Sequence, residues 1–218
     1  MIAKVNNIEL YYEKSGQGKP LILLHGNGET HKIFKRTISI LNKHYTVYAV
    51  DFRNHGKSTQ VSELHYADHV KDIYEFIVQM QIEKPVCYGF SDGGIVGLLL
   101  ASEYPDLFSR LIVSGPNISP YGLKNSVRCY YKLYFALTGS SMIKMMLNEP
   151  NISTEKLSKI RVPVHITAGM FDLISQKHIR KINDSIKNST LKIYNFHTHG
   201  SYIVNSKKIG EYILEVSQ

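Results

Sequence analysis

The segment Gly89-Phe90-Ser91-Asp92-Gly93-Gly94 constrains the fold more than any other stretch of the chain. It follows a short apolar run, Val86–Tyr88, and precedes a second run, Ile95–Tyr104, that is nearly all apolar. A serine with a glycine two positions before it and another two after, at a strand-to-helix junction, marks a sharp turn. The serine is held in a strained backbone conformation, and the helix packs back on the strand it came from. Only very small residues fit two positions before and two positions after the serine. The Ser91 hydroxyl is then presented at the rim of a sheet, with a helix N-terminus aimed at any negative charge that develops beside it. That arrangement suits a nucleophile, although the five-residue pattern also occurs in ordinary glycine-rich turns.

Around this turn, short apolar runs alternate with helix-like segments. The pattern predicts one α/β domain on a mostly parallel sheet with helices on both faces. The opening differs. Ile2–Val5 and Ile8–Glu13 flank Asn6-Asn7, and asparagine tolerates the positive φ of a tight hairpin, so the sheet is expected to start antiparallel. Leu21–Leu24 is an unbroken apolar run, typical of a strand buried on both faces. Tyr45–Val50, Val86–Tyr88, Leu111–Val113, Val164–Ile166 and Leu191–Tyr194 repeat that character. The total is about eight strands. Helices are expected over His65–Gln81, Ile95–Tyr104, Ser175–Lys187 and Ile203–Val216. In the first of these, Val70, Ile73, Tyr74, Ile77 and Val78 recur at helical spacing. Residues 118–161 break the alternation: no strand is apparent and the composition shifts to Tyr, Met, Lys and Ser. An insertion at the carboxyl end of a strand lies over the ligand-binding edge of such a sheet. The expected division is a core of residues 1–117 and 162–218 with a small helical cap at 118–161.

Lysine and arginine outnumber the acids 26 to 18, for a net charge of +8. The basic residues are scattered. The densest groups, Lys177/Arg180/Lys181 and Lys207/Lys208, read as solvated helix faces and not as a nucleic-acid surface. Two distant cysteines, Cys87 and Cys129, make no disulfide framework. Residues 1–7 lack the basic and apolar regions of a signal peptide, and the longest apolar stretch, Ile95–Ala101, is far short of the ~18 residues of a membrane span. A soluble, cytoplasmic chain is expected, with no nucleic-acid or membrane partner; the oligomeric state stays open. No Cys/His cluster has zinc spacing and no G-x-x-x-x-G-K-S/T phosphate loop is present, so neither a metal nor a cofactor is expected.

A second glycine-rich stretch, His25-Gly26-Asn27-Gly28, follows Leu21–Leu24. A tetrahedral intermediate of acyl transfer needs two backbone N–H donors aimed at its oxyanion. Asp92, the residue after the serine, offers one, and the loop at Asn27 is placed to offer the other. His25 reads as structural. With these stretches and Asp51-Phe52-Arg53-Asn54-His55-Gly56-Lys57-Ser58, the chain resembles the α/β-hydrolase superfamily over essentially its whole length. The last stretch is similar to the family's D-x-R-G-x-G-x-S loop, with Asn54 where the pattern has glycine; asparagine also accepts positive φ. In the family this loop is mainly structural, and the resemblance carries that role to Asp51.

The family's chain order is serine, acid, histidine. The resemblance places the acid at Asp172, where Ala168-Gly169-Met170-Phe171-Asp172 matches the family's G-x-x-D. It places the histidine in Phe196-His197-Thr198-His199-Gly200-Ser201, after the last strand. His199 fits better than His197, because a small residue and then the final helix follow it. The implied roles are Ser91 as nucleophile, His199 as general base and then acid, and Asp172 as the group that holds the imidazole tautomer. Asp92 either complements the helix N-terminus or meets a cationic group of the substrate. In the cap, Tyr121, Tyr130, Tyr131, Tyr134, Phe135, Met142, Met145 and Met146 either pack on the core or line an apolar pocket.

The resemblance implies a hydrolase that acts on a small-molecule ester, lactone or thioester through an acyl-enzyme. C–C bond hydrolysis, or hydrolysis of amino-acid esters or peptides, on the same three residues are the alternatives among enzymes. A non-catalytic binding protein on a hydrolase scaffold is the alternative outside them, since fold does not fix function.

Overall fold

The computed structural model describes residues 1–217, and among these eight strands form one sheet. They are β1 (Ile2–Val5), β2 (Ile8–Ser15), β3 (Lys19–Leu24), β4 (Tyr45–Val50), β5 (Val86–Phe90), β6 (Arg110–Ser114), β7 (Val164–Phe171) and β8 (Ser189–Thr198). Their spatial order is β1-β2-β4-β3-β5-β6-β7-β8. β1, β2 and β4 pair antiparallel, and every other neighbouring pair is parallel. The hairpin between β1 and β2 turns through Asn6 and Asn7, at φ 44° and 62°, the positive values expected of a two-asparagine turn. The mostly parallel α/β sheet is the architecture that the alternating sequence pattern predicts.

The helices are α1 (Lys35–Leu41), α2 (Tyr66–Gln79), α3 (Asp92–Glu103), α4 (Asn125–Thr138), α5 (Ser141–Asn148), α6 (Thr154–Leu157), α7 (Gln176–Asp184) and α8 (Lys208–Val216). They cover both faces of the sheet. Side chains alternate across a strand, so each buried strand feeds two cores. Ile22 and Leu24 of β3 join a cluster with Ile73 and Phe76 of α2 and Leu98 of α3. Leu21 and Leu23 of the same strand join a second cluster with Leu41 of α1 and Ile213 of α8. This explains why β3 reads as an unbroken apolar run: there is no wet face on which to place a polar residue.

Two segments depart from the sequence expectation. The last helix begins at Lys208, well after Ile203. Asn205 sits at φ 48° with its N–H donated to the Ile33 carbonyl, and a left-handed residue held this way breaks a helix. The turn at Ser91 is a strand-to-helix elbow whose helix, α3, begins at Asp92, earlier than Ile95, so the two glycines after Asp92 are helical. Between β6 and β7 lie α4, α5 and α6, and the one contact of strand type is an isolated bridge, Leu123 to Ile174. α4 buries none of its residues fully. No helix among the described residues is long and apolar enough to cross a membrane.

Candidate active site

Ser91 sits between β5 and α3 at φ 52°, ψ −112°, a conformation that costs a non-glycine residue free energy. The flanking glycines are sterically required. A Cβ on Gly89 would lie 2.2 Å from the Gly93 carbonyl oxygen, and one on Gly93 would lie 2.2 Å from the Leu24 carbonyl oxygen. Strand, turn and neighbouring strand are therefore in backbone contact at this point, and the Ser91 side chain is left half-buried at the sheet's carboxyl edge.

The other parallel strands deliver their partners to the same edge. Asp172 follows β7 and is 1% exposed. Its Oδ1 accepts from His199 Nδ1 at 2.6 Å and from the Ile174 amide at 3.0 Å, and its Oδ2 accepts from the Gly169 amide at 3.1 Å. Burial alone would raise this carboxyl, but the His199 hydrogen bond and charge and the two amides outweigh it and hold it below the usual carboxylate range. His199 follows β8. With Nδ1–H committed to Asp172, its Nε2 is the nitrogen free to take a proton, as inferred from the bonding partners. His197, the rival in sequence, lies elsewhere: Nδ1 bonds Ser201 Oγ at 2.9 Å and Nε2 accepts from Lys208 Nζ at 2.7 Å. Ser91 and His199 line one cavity of about 90 Å³ together with Asn27, Glu29, Phe90 and Tyr131.

Asn27 belongs to the loop after β3. Neither its amide nor that of Asp92 finds an acceptor among the described residues, whereas the next amide, Gly93, donates to the His25 carbonyl. The loop is fixed from below by two imidazoles. His25 donates Nδ1–H to the Gly26 carbonyl at 2.7 Å and accepts the Phe52 amide on Nε2 at 3.0 Å. His55 bonds the Arg53 carbonyl through Nδ1 at 2.8 Å and accepts the Gly28 amide on Nε2 at 3.0 Å. Burial, helped by the neighbouring His55, pushes His25 down to about 3, so it stays neutral at ordinary pH. Asp51 is buried below, accepting the His31 amide and Nδ1 at 2.7 Å each, and Asn54 adopts φ 61° as its glycine-like position requires.

The Asp92 carboxylate is 3% exposed and accepts from Tyr66 OH at 2.8 Å and Asn27 Nδ2 at 3.0 Å. It stands at the N-terminus of α3 and ties the turn at Ser91 to the loop after β3. Three residues at this site are not evident from the sequence. Tyr66, the first residue of α2, reaches Asp92 across 26 positions. Gly115 leaves room for His199: a Cβ there would lie 2.7 Å from Cε1 of the imidazole. Glu29 turns its carboxylate inward to accept the Gly26 amide at 3.1 Å. Burial raises the Glu29 carboxyl, while the Gly26 amide and His199 oppose the shift. A glycine after a strand and a carboxylate three residues beyond a glycine are too common to have pointed to these roles.

A family model described as the α/β hydrolase fold matches residues 19–128, which span the loop at Asn27, the Asp51 loop and the elbow. The chain belongs to the α/β-hydrolase fold family. A human serine hydrolase, BPHL, is 27% identical over 87% of this chain and 76% of its own length. Pimeloyl-(acyl-carrier protein) methyl ester esterase of Vibrio cholerae is 29% identical over 52% of this chain, and only 44% of the esterase is covered. In structure, an esterase from Exiguobacterium antarcticum superposes on this α/β hydrolase with a TM-score of 0.86 at 20% identity, covering 98% of this chain and 97% of the esterase. The chain is thus a hydrolase-family enzyme whose curated relatives include a serine hydrolase and ester hydrolases.

Proposed function

We propose that this α/β hydrolase cleaves a small carboxylic ester, lactone or thioester through an acyl-enzyme on Ser91. The observation that carries the reading is the convergence on one cavity of a strained serine, an imidazole held by a buried carboxylate, and Asn27, whose backbone amide, like that of Asp92 next to the serine, has no acceptor among the described residues. The Ser91 oxygen attacks the carbonyl carbon as His199 Nε2 removes its proton. Asp172 stabilises the imidazolium and fixes its tautomer. The Asn27 and Asp92 amides hold the oxyanion. Collapse breaks the bond to the leaving group, which takes the proton from Nε2. A water then attacks the acyl-enzyme, giving its proton to Nε2, and the second collapse returns Ser91 protonated and releases the acid.

Residues 118–161 act as a helical cap on the core of residues 1–117 and 162–218. A second cavity of about 310 Å³, lined by Tyr130, Tyr134, Met142 and Ile143, shares Asn27, Tyr131 and Met146 with the first. That apolar continuation suits a hydrocarbon portion of the substrate.

Ser91→Ala lowers turnover of p-nitrophenyl esters by roughly 10³-fold or more while leaving the circular dichroism spectrum and melting temperature close to wild type. A fluorophosphonate labels Ser91 in the wild-type protein. Undiminished hydrolysis in the variant refutes the nucleophile, and no adduct on Ser91 favours the binding-protein alternative.

A further inference from the structure

The cavity at Ser91 has a charge that the rest of the molecule does not predict. The chain carries a net charge of +8, and residues 107–148 hold Arg110, Lys124, Arg128, Lys132 and Lys144 with no acid among them. Yet neither the Ser91 cavity nor the cleft that continues it is lined by a lysine or an arginine. The charged group that lines the Ser91 cavity is Glu29. Its position is tightly defined: a Cβ built on Gly26 would lie 2.8 Å from Glu29 Oε2 and 3.2 Å from Ser91 Cβ. The carboxylate and the nucleophile thus lie against the same small space. The Gly26 amide, donating to Oε2, holds the carboxylate there. Asp92, also acidic and within electrostatic reach of Glu29, presents no free oxygen in its place: one is taken by Tyr66 and the other by Asn27, and its side chain does not line the cavity.

A carboxylate so close to the reacting carbon has a consequence for substrate choice. At an effective dielectric near 20, a like charge about 6 Å away disfavours a developing anion by roughly two orders of magnitude. Solvent reaching a half-buried group reduces this to roughly tenfold or somewhat more. The oxyanion of the tetrahedral intermediate feels that field in every substrate. A cationic group on the substrate cancels it, and an anionic group adds to it. Because the oxyanion develops only on the way to the intermediate, the cancellation acts on kcat/KM more than on ground-state binding.

We propose that Glu29 is a specificity-determining residue, whose carboxylate selects esters carrying a cationic group near the scissile carbonyl and rejects those carrying an anionic one. The proposal rests on the reading of Ser91 as the nucleophile.

The test uses three p-nitrophenyl esters of similar size: trimethylammonioacetate, 3,3-dimethylbutanoate and hemisuccinate. Each enzymatic kcat/KM is divided by that ester's own second-order rate constant with imidazole, which removes differences in intrinsic reactivity and leaves out the intramolecular attack of the hemisuccinate carboxylate. In the wild type the cationic ester exceeds the neutral one by roughly tenfold or more, and the neutral ester exceeds the anionic one by a similar factor. Glu29→Gln keeps an oxygen that accepts the Gly26 amide but removes the charge, and it brings the three values to within about threefold of one another. A parallel measurement needs no turnover: the rate at which Ser91 is labelled by a trimethylammonium-bearing phosphonate is divided by the rate for its uncharged isostere. That ratio is above one in the wild type and falls towards one in Glu29→Gln. If Ser91 is labelled and both ratios are the same in wild type and variant, Glu29 does not set specificity and the nucleophile assignment stands. If Ser91 takes up no phosphonate at all, the nucleophile assignment fails and the proposal fails with it.

Discussion

Gly115 and Gly139 share a backbone conformation, at φ 59° and 62°, and differ in what surrounds them. A Cβ on Gly115 meets His199 Cε1 at 2.7 Å and Nδ1 at 2.8 Å, whereas one on Gly139 meets nothing within 4 Å. Alanine at either site suffers a similar strain from the left-handed φ, about 1 kcal/mol. Only at Gly115 must the imidazole also move. Gly115→Ala is therefore expected to lower kcat/KM for an ester by roughly 10–100-fold, since a displacement of about 1 Å at a proton-transfer group has that effect. Gly139→Ala should lower the melting temperature by a few degrees and leave kcat/KM within about twofold. Equal losses of activity in the two variants would mean that strain, and not the seating of His199, is what Gly115 relieves. The contrast also marks how far single residues can be read from a sequence. Ser91 announces itself because its neighbours in the chain, Gly89 and Gly93, are the ones it needs. Gly115 serves a ring more than eighty positions away, and nothing beside it in the chain says so.

At the scale of elements, the site is a set of strand ends brought into register by parallel pairing. β3, β5, β7 and β8 each supply a segment at the carboxyl edge, and the sequence marks each of these strands with a largely apolar run followed by a glycine, Gly26, Gly89, Gly169 and Gly200 in turn. That local signal is why the sheet and the place of Ser91 at its edge are legible in the sequence, whereas Asp172 and His199 are singled out by resemblance to the family's G-x-x-D and chain order, and the structure brings those two side chains into contact. The cross-ties between elements carry no such signal. Tyr66 OH joins the first turn of α2 to Asp92 in the first turn of α3, and Asn27 joins the β3 loop to the same carboxylate 65 positions on. Tyr66→Phe leaves Asp92 Oδ1 buried without its donor, which costs about 1–3 kcal/mol. In urea, the unfolding midpoint should fall accordingly with the slope unchanged. A midpoint equal to wild type would show that the elbow does not depend on α2 for its placement.

Over the whole molecule, folding has enclosed several imidazoles in neutral form. His25 is pushed down to about 3, first by burial and then by His55. His69 is 1% exposed and held well below its ordinary value, again chiefly by burial, and neither ring nitrogen has a hydrogen-bond partner. It packs against Phe52 at 4.7 Å between ring centroids. A base whose folded-state pKa is depressed binds fewer protons in the folded chain than in the unfolded one at every pH between the two values. Its contribution to stability is unchanged above the unfolded value near 6.5 and falls steadily below it, by about 1.4 kcal/mol per pH unit. Glu29, Asp72 and Asp92 act in the opposite sense, because burial raises their carboxyls and the folded state takes up protons first. The total slope is therefore a balance, but a variant isolates one term. His69→Phe keeps an aromatic ring in the apolar site, removes two unpaired nitrogens and removes the titration. At pH 7.5 the variant should be at least as stable as wild type. Between pH 7.5 and 5.5 its advantage should widen by about 1.4 kcal/mol, several degrees in melting temperature for a chain of this size. Urea melts of both proteins at three pH values measure the gap. A gap that stays constant from pH 7.5 to 5.5 would mean that His69 is protonated equally in the folded and unfolded states, and that its buried ring is reached by solvent.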